Sequence, residues 1–332
     1  MAFIINRRTA LTGAAALAAF PAAAQDKKVI IGTWGGDYSR LLTKNVTPLV
    51  KGFEVVHAEE QVDPRKAKMM AEKVLRRGTS DVQALSANDM YEMDQQGLVE
   101  QLDYSKMPNA KNLIPAMKYP YGIGHIYSGK VVLYNPKLMA APMGFADTLD
   151  PKHGDKLGII DIQYQYTLLA AGLASGSTVS NVDPGKERLI ACKKAGARIY
   201  PSNEAFAQAL KTEEIACGIM WKARAVQWQN AGINVSTVAP KEGVPMYVSG
   251  FMMPKNSPNK ANAMKFMEYM VSDESQRIHA DANSEYPVKA GIKIHPTIAS
   301  FGELKADNVQ IAEIAKLRKK ASELVDKVGF DQ

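Results

Sequence analysis

Cysteine is nearly absent from this chain: Cys192 and Cys217 are the only two among 332 residues. A disulfide-stapled scaffold is thereby excluded, since one bridge at most can form. Cys192 sits in a helical pattern and Cys217 in a strand pattern. Two buried free thiols are the favoured reading. A single bridge stays open if the fold brings the Cα atoms within range. No apolar run reaches 18 residues, so no segment is long enough to span a bilayer as a helix. The five histidines (His57, His125, His153, His279, His295) show neither H-E-x-x-H nor a Cys/His pair at metal spacing. G-x-S-x-G is missing too; Gly172-Leu173-Ala174-Ser175-Gly176 places its serine one residue late. Gly124 to Lys130 matches G-x-x-x-x-G-K, but Val131 stands where a hydroxyl should ligate magnesium, and the segment runs into a strand rather than a helix. A basic stripe interleaved with aromatics is lacking, and the net charge of +7 is spread along helices, which argues against a nucleic-acid partner. No catalytic group, metal or cofactor is expected.

What is present starts at the N-terminus. Arg7 and Arg8 precede a soft apolar stretch over residues 10–20, and Ala22-Ala23-Ala24 follows Pro21. A basic start, an apolar run of roughly 7–15 residues and a small-residue site together spell a secretory signal. The paired arginines fit the twin-arginine route. The expectation is a signal over 1–24, cleavage near Ala24 and a soluble, monomeric periplasmic protein. The remainder has room for about two domains, and 46% apolar with 23% charged residues is an ordinary globular composition.

Residues 28–34 form a short apolar run ending in glycine, threonine and tryptophan, a buried strand feeding a loop. Asp37 is read as the cap of the helix that follows. Residues 53–57 alternate as a second strand. Residues 64–77 read as a helix with Ala67, Met70, Ala71, Val74 and Leu75 on its apolar face. Residues 81–85 make a third strand, followed by a Ser-Ala-Asn-Asp loop. Strand, helix, strand, helix predicts a parallel α/β sheet. Further strands are expected over 130–134, 158–161, 217–221 and 247–254, with helices between them and an amphipathic helix over 310–328.

Several segments, in order, carry a resemblance: Gly32-Thr33-Trp34; Asp81-Val82-Gln83-Ala84-Leu85-Ser86 with Gly97-Leu98-Val99; Gly218-Ile219-Met220-Trp221; Pro240-Lys241-Glu242-Gly243; and Ser284-Glu285-Tyr286-Pro287-Val288. Together they resemble the spermidine/putrescine-binding branch of bacterial periplasmic solute-binding proteins. The resemblance implies a two-lobe α/β fold of type II, each lobe a mixed, mostly parallel sheet flanked by helices, with crossover strands as hinge. The implied bounds are 26–127 with 250–300 for one lobe and 128–249 for the other, with 301–332 packing across the hinge. It also implies a solute in the interlobe cleft and an ABC permease with its ATPase subunit as partners.

Within that frame the site residues follow singly. Trp34 ends a buried strand beside Gly35 and Gly36, where bare backbone lets a ligand approach, and strand C-termini are where open α/β sheets bind ligands. Asp37 and Tyr38 follow it, and Ser86, Asn88 and Asp89 end the third strand equivalently. Asp161, Tyr164, Trp221, Lys222, Arg224, Tyr247 and Ser249 are the candidates from the second lobe; Tyr127 and Lys130 lie at the crossover. Family position implies acids near 164 and 249, where this chain has Tyr164 and Ser249. With Lys130, Lys222 and Arg224 counted into the cleft, the expected ligand is a carboxylate or phosphonate with an apolar or aromatic body. A polyamine is the alternative, and an exported enzyme or a receptor-coupled binding module is a further one.

Overall fold

The structure is a computed structural model that describes residues 27–162, 164–177 and 181–293. The signal segment and the helix expected over 310–328 lie outside these residues. The chain opens with β1 (Lys28–Thr33), α1 (Gly36–Leu41), β2 (Glu54–Glu59), α2 (Val62–Ala71), β3 (Val82–Ser86), α3 (Ala87–Gln95), β4 (Lys118–Tyr119) and β5 (Gly122–Tyr134). There follow α4 (Phe145–Thr148), β6 (Leu157–Ile160), α5 (Tyr164–Ala174), α6 (Asp183–Lys194), β7 (Arg198–Tyr200), α7 (Asn203–Lys211), β8 (Cys217–Trp221), α8 (Lys222–Asn230) and β9 (Ser236–Val238). Last come β10 (Met246–Met252), α9 (Lys260–Met270), α10 (Asp273–Asp281) and β11 (Tyr286–Pro287).

The strands hydrogen-bond in the order β2-β1-β3-β10-β5-β8-β6-β7. β1 runs parallel to β2 and β3, and β6 runs parallel to β7 and β8. The antiparallel members, β10 and β5, sit between these two parallel sets. β5 holds them together. Its first half pairs with β10, β11 and β4, its second half with β8 and β9, and all but its last residue are buried. Apolar packing divides accordingly. One core contains Val29, Ile31, Leu85, Ile123, Phe251 and Phe266, while two others gather Val132, Leu157, Leu168 and Leu189, and Leu133, Phe206, Leu210 and Trp228. Each such buried Leu or Phe contributes about 1.5–3 kcal/mol. Gly158 and Gly218 face each other in register. A Cβ on either would overlap the ring of Phe206, which α7 lays across both strands. Among the described residues no helix is long and apolar enough to cross a membrane.

Several local expectations change. The Ser-Ala-Asn-Asp stretch is not a loop: Ser86 caps α3 by accepting from the Asp89 amide, so the helix begins at Ala87. Asp37 is not the cap of α1. Gly35 holds that position, and Asp37 sits in the first turn, where a negative charge suits the helix dipole. The apolar face read for α2 is the wrong one. Met70, Val74 and Leu75 are exposed, as are Ala67 and Ala71, whereas Arg65, Lys66 and Met69 are buried. Their polar heads find buried acceptors at the sheet's end, which outweighs the exposure of a few methyl groups. Cys192 and Cys217 are free and buried, and burial pushes their thiols up to about 11 and about 12.

Candidate ligand-binding site

A cavity of about 520 Å³ opens where strand ends of the two lobes meet. From the first lobe it is walled by Trp34, Gly35, Gly36 and Tyr38 after β1, the start of α2, Ser86 and Asp89 after β3, and Glu285. From the second come Asp161 and Tyr164 after β6, the start of α7, and Trp221, Arg224 and Gln227 around the β8–α8 junction. Tyr127, Ser128, Tyr247 and Ser249 line it from β5 and β10. Asp37, Asn88, Lys130 and Lys222, all expected in the cleft, do not line it.

The reasons are local. Lys222 opens α8 directly after Trp221, and its side chain turns away from the cavity. Its Nζ donates to Thr237 Oγ1 at 2.5 Å, and burial lowers its pKa. Lys130 faces Trp221 in the β5–β8 register, and its Nζ lies 4.0 Å from the centre of that indole ring. The amine has no hydrogen-bond partner among the described residues, and burial lowers its pKa to about 7. Asn88 supports the wall from behind: its Oδ1 lies 2.8 Å from the Ser86 hydroxyl and accepts from Tyr166 of the second lobe. Asp37 binds Arg40 and reaches across the cleft to Arg224, at 3.1 Å.

The first-lobe wall rests on a buried polar scaffold that sequence reasoning missed. Arg65 donates through Nη1 to Gly32 O, Gln83 Oε1 and Ala84 O at 2.8–3.0 Å and through Nε to Glu60 O, and its guanidinium lies 5.3 Å from the Trp34 ring centre. Burial lowers its pKa only to about 10, so it is charged at neutral pH. Lys66 binds Asp89 at 3.1 Å and also Glu92, and the Ser86 hydroxyl donates to Asp89. The Tyr38 hydroxyl is 2.8 Å from His125 Nε2. Desolvation drives the Tyr38 pKa well up and that of His125 well down, so both stay neutral. The opposing wall is aromatic: Trp221 packs 4.9 Å from Tyr166 and 4.7 Å from Tyr247, centre to centre.

The lobes also touch directly. Arg224 donates to Gln227, whose Nε2 donates to Asn283 O of the first lobe at 2.6 Å. Gly36, at φ +67°, meets the Glu204 carboxylate so closely that a side chain there would collide with it. Glu204, Gln227 and Glu285 join the wall without having been singled out. Glu285 lies inside a quoted segment, but only the observed turn aims it at the cavity. Among the described residues Asp63, Asp89, Asp161, Glu204 and Glu285 are the wall's acids, and Arg224 is its one base. Two of the three bases behind the expectation of an anionic ligand are therefore not available to it.

Two α/β lobes joined by shared strands around a solute-sized cavity define a type II periplasmic-binding-protein fold. A family profile described as bacterial extracellular solute-binding protein matches residues 50–306, and the chain belongs to that family. It is 36% identical over 95 residues to the iron uptake protein A2 of Synechocystis, a match spanning 29% of this chain and only 28% of that relative's length. Its similarity to the spermidine/putrescine-binding periplasmic protein of Salmonella typhimurium is lower, 24% over 285 residues, but covers 79% of this chain and 78% of the other. Among solved structures, the AgtB binding protein of A. tumefacien R10 in complex with agropinic acid superposes with a TM-score of 0.77 at 18% identity, covering 92% of this chain and 99% of that one.

Proposed function

We propose that this chain is the exported solute-binding component of an ABC importer. It captures a small organic solute between its lobes and hands it to a membrane permease served by a separate ATPase subunit, with no chemistry of its own. The supporting observation is the cavity: about 520 Å³ is a small-molecule volume, and its wall is drawn from both lobes. Arg224–Asp37 and Gln227–Asn283 span the cleft, as contacts made on closure would. In this reading residues 26–127 with 250–300 and residues 128–249 move as the two bodies. The signal over 1–24 directs the chain to the periplasm by the twin-arginine route, and it works as a monomer.

The names of the relatives and structural neighbours span iron, polyamines and agropinic acid and do not choose among ligands; the charge of the wall supports one reading. Its acids outnumber its single base, and that base is held by Asp37. Aromatic faces at Trp34, Tyr127, Trp221 and Tyr247 suit an alkyl body or a cationic head. An organic cation is therefore favoured over the carboxylate or phosphonate expected from sequence. The test is mass spectrometry of the solute that copurifies with the exported chain, with solution scattering before and after its removal. A bound solute released unchanged, with a larger radius of gyration once it is gone, supports the reading. Catalytic conversion of the solute would replace it with the enzyme reading, and a cavity that retains nothing under any condition would sink it.

A further inference from the structure

We infer that Glu285 selects the charge of the solute, receiving a primary ammonium or guanidinium end in the corner of the cavity it shares with Tyr38 and Tyr247. This rests on the solute-binding reading above. Glu285 follows Ser284, whose φ of +54° is a left-handed conformation rare for a residue with a side chain. That turn brings the carboxylate to the cavity wall although the residue is only 7% exposed. Its two oxygens differ. Oε2 is held by His279 Nδ1 at 2.7 Å and Asn283 Nδ2 at 3.3 Å, which fixes the plane of the group. Oε1 receives no hydrogen bond from any described residue and is not fully enclosed, and the residue lines the cavity.

The phenols of Tyr38 and Tyr247 feel the Glu285 charge, which raises the pKa of each beyond what burial does. Arg224, the one base of the wall among the described residues, is engaged by Asp37 and Gln227. A carboxylate in such surroundings has lost part of its hydration without gaining a full set of donors. A ligand N–H donor at Oε1 completes that set, with aromatic rings to either side of the charge. A ligand carboxylate in the same corner would meet like charge and two phenols.

The test compares the wild-type exported chain with Glu285→Gln, stripped of copurifying solute, by calorimetry with putrescine, agmatine and succinate. Putrescine or agmatine should bind the wild type, and Glu285→Gln should weaken that binding about tenfold or more. Glu285→Asp should retain part of the affinity, and it serves in place of the glutamine variant if that one fails to fold. Unchanged affinity in both variants overturns the assignment, as does a wild type that binds succinate in preference, or one that takes up neither amine at millimolar concentration. Solute-binding itself survives those outcomes as long as some other solute copurifies, so the two failures are distinguishable.

Discussion

The two walls of the cleft are built by opposite means. Behind the first-lobe wall lies a connected set of buried charges and amides: Arg65 fanned over four acceptors, Lys66 on Asp89, His279 on Glu285. Behind the second-lobe wall lies a cluster of edge-on and tilted aromatic rings, with the buried Lys130 lying against Trp221 and making no hydrogen bond to any described residue. A connected polar network restricts each of its members to few orientations through the partners it keeps, with Arg65 Nη2 and His279 Nε2 left without a partner among the described residues. An aromatic cluster fills volume and tolerates small shifts. The first lobe thus sets where charge sits, and the second sets what shape is admitted.

Substitution behind each wall sharpens that contrast. The largest effect is expected from Arg65→Ala, which strands buried carbonyls and Gln83. A loss of about 3–5 kcal/mol follows from breaking a buried charged network, seen as a fall in thermal midpoint on the order of 10 °C. A shift of a degree or two would mean that the scaffold is ornamental. Lys130→Met should behave in the opposite way, leaving the protein as stable or about 1 kcal/mol more so at pH 7, because it replaces an unpaired buried ammonium with an apolar chain of similar length.

Lys130 also carries a pH signature. Its folded pKa of about 7 lies below the ordinary lysine value, so between the two the unfolded chain binds more protons. Stability should therefore climb as pH rises above about 7, by up to roughly 1.4 kcal/mol per unit. Urea unfolding at pH 7, 8 and 9 checks this, and the Met variant should lose that part of the slope. The smallest stability change is expected from Arg224→Ala. Its bridge to Asp37 is partly exposed, worth under about 1 kcal/mol. Its effect should appear instead in scattering, as a more open solute-free chain; an unchanged profile would show that the bridge does not hold the lobes together.

Much of this fold was legible in the sequence because continuous apolar runs such as residues 29–31 and 217–221 have few alternatives to a buried strand. Trp34 and Trp221 could be placed in the cleft because they end such runs. The rest failed for identifiable reasons. In α2, counting apolar residues picked the face bearing Met70, Val74 and Leu75, whereas the buried face carries Arg65 and Lys66, whose burial depends on acceptors contributed by β1, β3 and α3. Lys130 and Lys222 were assigned by proximity in sequence, whereas the side to which Lys130 points is settled by pairing register and that of Lys222 by the turn from β8 into α8. Glu285 depends on the backbone sign of one serine. Charged groups carry no periodicity of their own, so where they point is a property of the assembled sheet.

The thirteen residues of β5 set an order of events during synthesis. The strand emerges early, but its partner β10, which pairs between β3 and β5, is encoded after β6, β7, β8 and β9. At about 5–20 residues per second the ribosome delivers it on the order of ten seconds later. Through that interval β3 and the first half of β5 present unpaired edges, while β6, β7 and β8 already have what they need to assemble on the other half of β5. The lobe made first is thus the one finished last, and a nascent chain halted before residue 246 would expose adhesive strand edges to any chaperone within reach.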